Sequence, residues 1–299
     1  MREGTILTKW FNSQVFVTEF SIVLGLVLFV FLWALTVKIY QYKRAALINS
    51  IGFALAFLIA TVIPWGTSRL IYREGLVFFI NPINVLAQSI LRASTHIPKF
   101  KIGFAYQGIF FIIGAQILGA LVGYIFFSGL FYMLKSTKKY EALNNASVMD
   151  LIKLHEPLPI WKNAIKEVFF IGLFVSTITW LPFANAAQFA TNPFWVVLFS
   201  TIIAFAIIFM SAPFNGFAFH LAFPFVYVID VLVEMIKEHI KAQKNKEVLD
   251  IQVCNQHRYK IIYATTNLSI TTAITIIFSL VIPIFMVLIG HHNKVSHNL

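Results

Sequence analysis

Six stretches of this chain are long and apolar enough to cross the roughly 30 Å hydrocarbon core of a bilayer. They run at about Val15 to Val37, Ala46 to Pro64, Ile102 to Leu134, Ala164 to Phe183, Pro193 to Met210 and Ile261 to Gly290. In lipid every backbone amide and carbonyl must find its partner within the protein, so such a chain folds as spanning helices or a closed barrel. Uninterrupted runs of this length, with no period-two alternation, point to helices. Composition agrees: 59% of the 299 residues are hydrophobic, only 12% are charged, and there are 32 Phe. The mean hydropathy is +0.80. The first run is too long for the apolar core of a cleaved signal and carries Glu19, so it reads as the first span. The single cysteine, Cys254, excludes an internal disulfide and a multi-thiolate metal site.

Two further segments are apolar but broken. One is Asn81 to Arg92, between the second and third spans; the other begins at Ala212, between the fifth and sixth. Each is too short to cross, and each is expected to dip into the membrane as a re-entrant half-helix whose free backbone groups line a cavity or are buried in protein. One such segment per half implies an internal repeat. Glu19 lies early in span one and Glu167 early in span four, at matching places. Three spans per half make the halves inverted, with the ligand path at their interface near the midplane. The expected division is residues 1–134 for the first repeat, 135–163 for a polar connecting loop and 164–299 for the second repeat. Thr265, Ser269 and Ala273, four residues apart on span six, are expected to let helices approach closely.

After His220 the chain has the pattern of an amphipathic helix reaching about Lys241. Ile229, Leu232, Val233, Ile236 and Ile240 share one face, and Asp230, Glu234, Lys237, Glu238 and Lys241 share the other. It is expected to leave the membrane and lie in the interface. The segments Lys135 to Asn163 and Ala242 to Lys260 read as polar loops.

Three motifs together resemble the aquaporin and glycerol-facilitator family, also called the major intrinsic proteins. Asn81-Pro82-Ile83-Asn84-Val85-Leu86-Ala87 is similar to that family's first Asn-Pro-Ala-Val-Thr-Leu-Ala; Ala115-Gln116-Ile117-Leu118-Gly119-Ala120-Leu121-Val122-Gly123 resembles its third-helix motif; Glu19 and Glu167 fall where the family has a glutamate. The resemblance covers residues 15 to about 225. It implies an all-α membrane protein with six transmembrane helices plus two re-entrant half-helices, assembled as a homotetramer, with no cofactor, acting as a channel rather than an enzyme. In that reading Asn81 and Pro82 stand at the pore centre with His220 and Leu221, because His220-Leu221-Ala222 replaces the second Asn-Pro-Ala. Phe223 replaces the filter arginine. The constriction would comprise Phe57, Ile208, Phe217 and Phe223; Glu19, Glu167 and Gly216 would support the half-helices.

Each assignment has an alternative. His220 is either a helix cap, a pore-lining donor or a titrating gate; each Phe is either constriction or ordinary packing; each glutamate accepts hydrogen bonds from re-entrant backbone or relays protons. An apolar ring offers a polar solute no donor in exchange for its hydration, so ordinary water conduction is disfavoured relative to glycerol-like or other small neutral solutes. A poorly conducting relative acting as a scaffold or partner-binding membrane subunit is the rival reading.

The formal charge is +11. Basic residues flank apolar runs, where anionic membrane lipid accounts for them better than nucleic acid. A multi-pass plasma-membrane location is expected. Family topology puts the N-terminus in the cytoplasm, yet the loops after spans one, three and the second half-helix hold most of the Lys and Arg, which argues for the opposite orientation.

Overall fold

A computed structural model describes residues 10–72, 79–95, 103–144, 146–152, 158–180, 193–211, 220–245 and 251–296. Among these there are helices and turns and no strands. The helices are α1 (Ser13–Tyr40), α2 (Ala45–Tyr72), α3 (Pro82–Thr95), α4 (Ile109–Ser136), α5 (Ile160–Trp180), α6 (Pro193–Ser211), α7 (Ala222–Asn245) and α8 (Ile251–Ser296). Four are long and apolar enough to cross a membrane: α1, the Ala45–Pro64 part of α2, α4, and the Ile251–Ile289 part of α8. The chain is therefore an all-α membrane protein. The other two expected spans do not meet that measure among the described residues. In α5 the three charges of Lys162, Lys166 and Glu167 interrupt the apolar run, and the apolar part of α6 that can be assessed is Thr201–Ser211.

Local chemistry sets the ends of these elements. The Asn12 side chain caps α1 by accepting from the Val15 amide at 3.0 Å. Pro82 is the first residue of α3, a position where its missing N–H costs no helical bond and its fixed φ suits the helix. Glycines bring α1 and α4 together. A Cβ built on Gly119 would lie 2.4 Å from the Phe20 carbonyl oxygen, and one on Gly123 would lie 2.9 Å from that of Leu24. The two backbones can approach only because both positions lack a side chain.

The packing has a symmetry of its own. Helix α1 packs on α2 and α4, and α5 packs on α6 and α8; α3 packs on α4, α5 and α8, and α7 on α8, α1 and α4; α2 packs on α6. Exchanging the first four helices for the last four, in order, maps this set of pairs onto itself, with α2–α6 its own image.

Several expectations need correction. The segment read as a polar loop at 242–260 is mostly helix: α7 continues to Asn245 and α8 begins at Ile251. The two run on as a hairpin in which Glu238 pairs with His257 and Glu234 with Lys260 at 3.4 Å, while the Lys237 ammonium sits 3.5 Å from the centre of the Tyr132 ring. The Glu238–His257 and Glu234–Lys260 contacts join the two helices along the stretch read as a loop. The connection after α4 is not simply polar either. Its two 3-10 turns, Glu141–Leu143 and Met149–Leu151, rest on α1 with Leu143, Val148, Met149 and Leu151 buried. Asp230 does not face outward with Glu234 and Lys237; it is buried and accepts the Tyr124 hydroxyl at 2.6 Å. Conversely Leu232, Ile236 and Ile240 are exposed. On α8 the expected packing stripe of Thr265, Ser269 and Ala273 is exposed, and the buried face runs through Ala264, Thr271, Thr275, Ser279 and Pro283 instead.

Candidate functional site

Glu19 organises the entrance to α3. Its carboxyl is fully buried, and one oxygen accepts the backbone N–H of Phe79 while the other accepts that of Ile80 at 3.0 Å and the side-chain amide of Gln116 at 2.8 Å. A carboxyl at that depth is tolerated because donors satisfy both oxygens. Gln116 stands on α4, so one acid joins α1, the approach to α3, and α4. The side-chain oxygen of Gln116, Oε1, has no hydrogen-bond partner among the described residues.

The clamp holds an unusual backbone. Ile80 has φ of 66°, the left-handed region that a β-branched side chain rarely adopts. Such conformations persist where surrounding contacts over-determine them. Here the Glu19 bond to the Ile80 amide and the burial of the Ile80 side chain do so. The turn delivers Asn81 to the start of α3. The Asn81 side-chain oxygen accepts from the Ile83 amide at 3.0 Å, and its carbonyl accepts from Asn84 at 3.0 Å. With Oδ1 committed to its own helix, the donor end of the amide is Nδ2. The Asn84 amide in turn donates to the Phe79 carbonyl at 2.8 Å. Pro82 is buried behind Asn81.

His220 immediately precedes α7. The imidazole is 1% exposed and Nδ1 accepts from the Ala222 amide at 3.3 Å. Acceptance at Nδ1 places the ring proton on Nε2. The Ile80 carbonyl lies near the ring, and Nε2 has no hydrogen-bond partner among the described residues. The residues leading into α3 and α7 thus meet. The positive ends of two helix dipoles converge on one small region. Leu221 continues the turn, its carbonyl accepting from Phe225 at 3.1 Å.

Aromatic rings wall this region. Phe223 stands edge-on to His220 with centroids 5.8 Å apart and lies 6.5 Å from Phe31, which stacks on Phe127 at 5.0 Å. Phe57, Ile208 and Phe223 are each buried and belong to the same apolar core as Ile80. Phe217 and Gly216 lie outside the described residues. Glu167 is buried on α5, with Lys166 Nζ at 3.1 Å. Sequence reasoning did not pair Gln116 with Glu19, nor Tyr124 with Asp230. Helical periodicity offers no signal for either pair, since the partners lie on different helices.

Compared with models of known protein families and with curated proteins, the chain matches none.

Proposed function

We propose that this protein is a divergent aquaporin-type channel that passes a small neutral solute down its gradient. The supporting observation is the apposition of the two broken segments: Ile80 and Asn81 ahead of α3 against His220 ahead of α7. Two helix N-termini at one point create a positive potential, and His220 Nε2 offers a donor beside the Ile80 carbonyl as an acceptor. A neutral solute with a hydroxyl or carbonyl can exchange hydration for these groups. An inorganic cation meets the wrong end of both dipoles. The exchange symmetry of the helix packing supports an internal repeat; its inversion, and the six-span, two-half-helix arrangement in which α5 and α6 also cross the plasma membrane, belong to the proposal. Assembly as a homotetramer belongs to the same reading.

Solute identity follows from the apolar wall. Phe57, Ile208 and Phe223 offer carbon surface only, so a solute with its own apolar carbons, such as glycerol, is favoured over water. The same wall favours one rival, a closed relative serving as a membrane subunit, because all three side chains are buried in the core. Swelling of proteoliposomes under gradients of glycerol, urea, ammonia and water separates the two. Permeability above that of protein-free lipid for at least one solute is the expected result; none for any of the four supports the rival.

A further inference from the structure

The second half of α7 has its polarity turned inside out. Its two carboxylates reach toward α8, Glu234 to Lys260 at 3.4 Å and Glu238 to His257. Leu232, Ile236 and Ile240 share a different face and are 37%, 56% and 47% exposed. A hairpin standing in water would do the reverse, closing its isoleucines against the partner helix and leaving its acids to solvent.

The level of these side chains relative to the bilayer follows from α8. From Ile261 to Gly290 that helix carries no Asp, Glu, Lys or Arg. At 1.5 Å per residue this run is about 45 Å long, more than the roughly 30 Å of hydrocarbon it has to cross. The turns before it, with Lys260, Arg258 and His257, therefore stand outside the hydrocarbon. The two pairings between α7 and α8 set Ile236 and Ile240 beside those turns. Both isoleucines are thus exposed at the level of the headgroups, where lipid tails do not cover them.

Charge completes the surface. Lys237, Lys241 and Lys244 follow the apolar stripe around the helix, and all three are exposed. Lys241 and Lys244 have no carboxylate partner among the described residues. Lys237 rests on the Tyr132 ring and so ties α7 to the end of α4. Helices α1 and α4 run parallel, Phe20 against Gly119 and Leu24 against Gly123. The basic turn after α1, Lys43 and Arg44, and the one after α4, Lys138 and Lys139, therefore lie at this same end.

We propose that the exposed face of α7 is a binding surface for anionic phospholipid headgroups of the protein's own membrane. Ile236 and Ile240 seat between the heads, and Lys241 and Lys244 meet their negative groups. An apolar stripe edged by lysines is the pattern that holds a helix in an anionic interface. The tether settles the occupant: the hairpin grows out of the spanning helix α8, so lipid headgroups are always within its reach. This surface is separate from the Asn81 and His220 centre and does not depend on the channel reading.

Spin labelling of the full chain in nanodiscs tests it. With Cys254→Ala as background, Gln243→Cys sets a label about one turn beyond Ile240 on exposed helix surface. Collision with oxygen and with a water-soluble nickel chelate reads its depth. With phosphatidylserine in the disc, the label is expected to be open to oxygen and shielded from nickel; in phosphatidylcholine alone, nickel reaches it. Each lysine near an anionic surface shifts such an equilibrium about fivefold, so Lys241→Gln with Lys244→Gln lowers the docked-to-free ratio about 25-fold. Salt at about 0.5 M acts in the same direction by screening. Ile236→Ser with Ile240→Ser also frees the label in phosphatidylserine. Nickel access equal in the two lipids would overturn the proposal, whether high, with the face in water, or low, with the face covered regardless of charge. Dipolar broadening between labels would make a second copy of the chain the occupant and overturn it too.

Discussion

Replacing Glu19 by alanine removes the acceptor for three buried donors at once: the amides of Phe79 and Ile80 and the side chain of Gln116. Each orphaned donor costs about 1–3 kcal/mol, so the approach to α3 is weakened by roughly 3 kcal/mol at the low end of that range. The loss is local, because α1 and α4 remain joined through the close approach at Gly119 and Gly123. Local opening free energies set amide exchange, and 3 kcal/mol corresponds to about a hundredfold faster exchange. Hydrogen–deuterium exchange in nanodiscs, read at Phe79 and Ile80, is the assay. Glu19→Gln provides an internal scale, since it keeps one acceptor oxygen but turns an N–H toward the remaining donors. An intermediate acceleration is expected. Unchanged exchange at both amides in a folded Glu19→Ala protein would refute the idea that this carboxyl holds the strained turn at Ile80.

Gly119→Ala should destabilise the α1–α4 contact by about 1–3 kcal/mol, because the added Cβ meets backbone that cannot rotate away; a detergent melt reads it, and an unchanged midpoint would mean that the helices are not that close. Tyr124→Phe removes the phenol that donates to buried Asp230 and should cost about 1.5–3 kcal/mol in the same assay. Phe223→Arg should raise water flux into proteoliposomes if Phe223 lines the constriction, by giving passing water a donor. Unchanged flux with normal folding would remove Phe223 from the pore.

Helix positions were legible where physics leaves one solution. An apolar run such as Val15 to Val37 must pair its backbone internally, and α1 spans it with a few residues to spare. Proline following asparagine marked the start of α3, since only a first-turn position accepts it without loss. Faces were far less legible. A lipid-facing side is as apolar as a packed one, so a membrane helix has little amphipathic signal to orient it. Span six shows the consequence: small residues recur every four positions both at Thr265, Ser269 and Ala273 and at Thr271, Thr275 and Ser279, and only the tertiary packing selects the second set. The α7–α8 hairpin escaped notice for a different reason. Its polar stretch has loop-like composition and no apolar period, and the contacts that join it, Glu238 with His257 and Glu234 with Lys260, lie between segments rather than within one. At the site, Glu19 stood out as a carboxyl within a span, but its geometry depends on Gln116, 97 residues away.

The account rests on the ends of α3 and α7 meeting inside the protein, and paired spin labels measure that most directly. With Cys254→Ala as background, Leu86→Cys and Leu221→Cys introduce two partly buried label sites, one in the first turns of α3 and one immediately before α7. Strong dipolar broadening in the doubly labelled protein, absent from either single label, is the predicted spectrum. A double-label spectrum equal to the sum of the two singles would place the half-helices apart and contradict the channel reading.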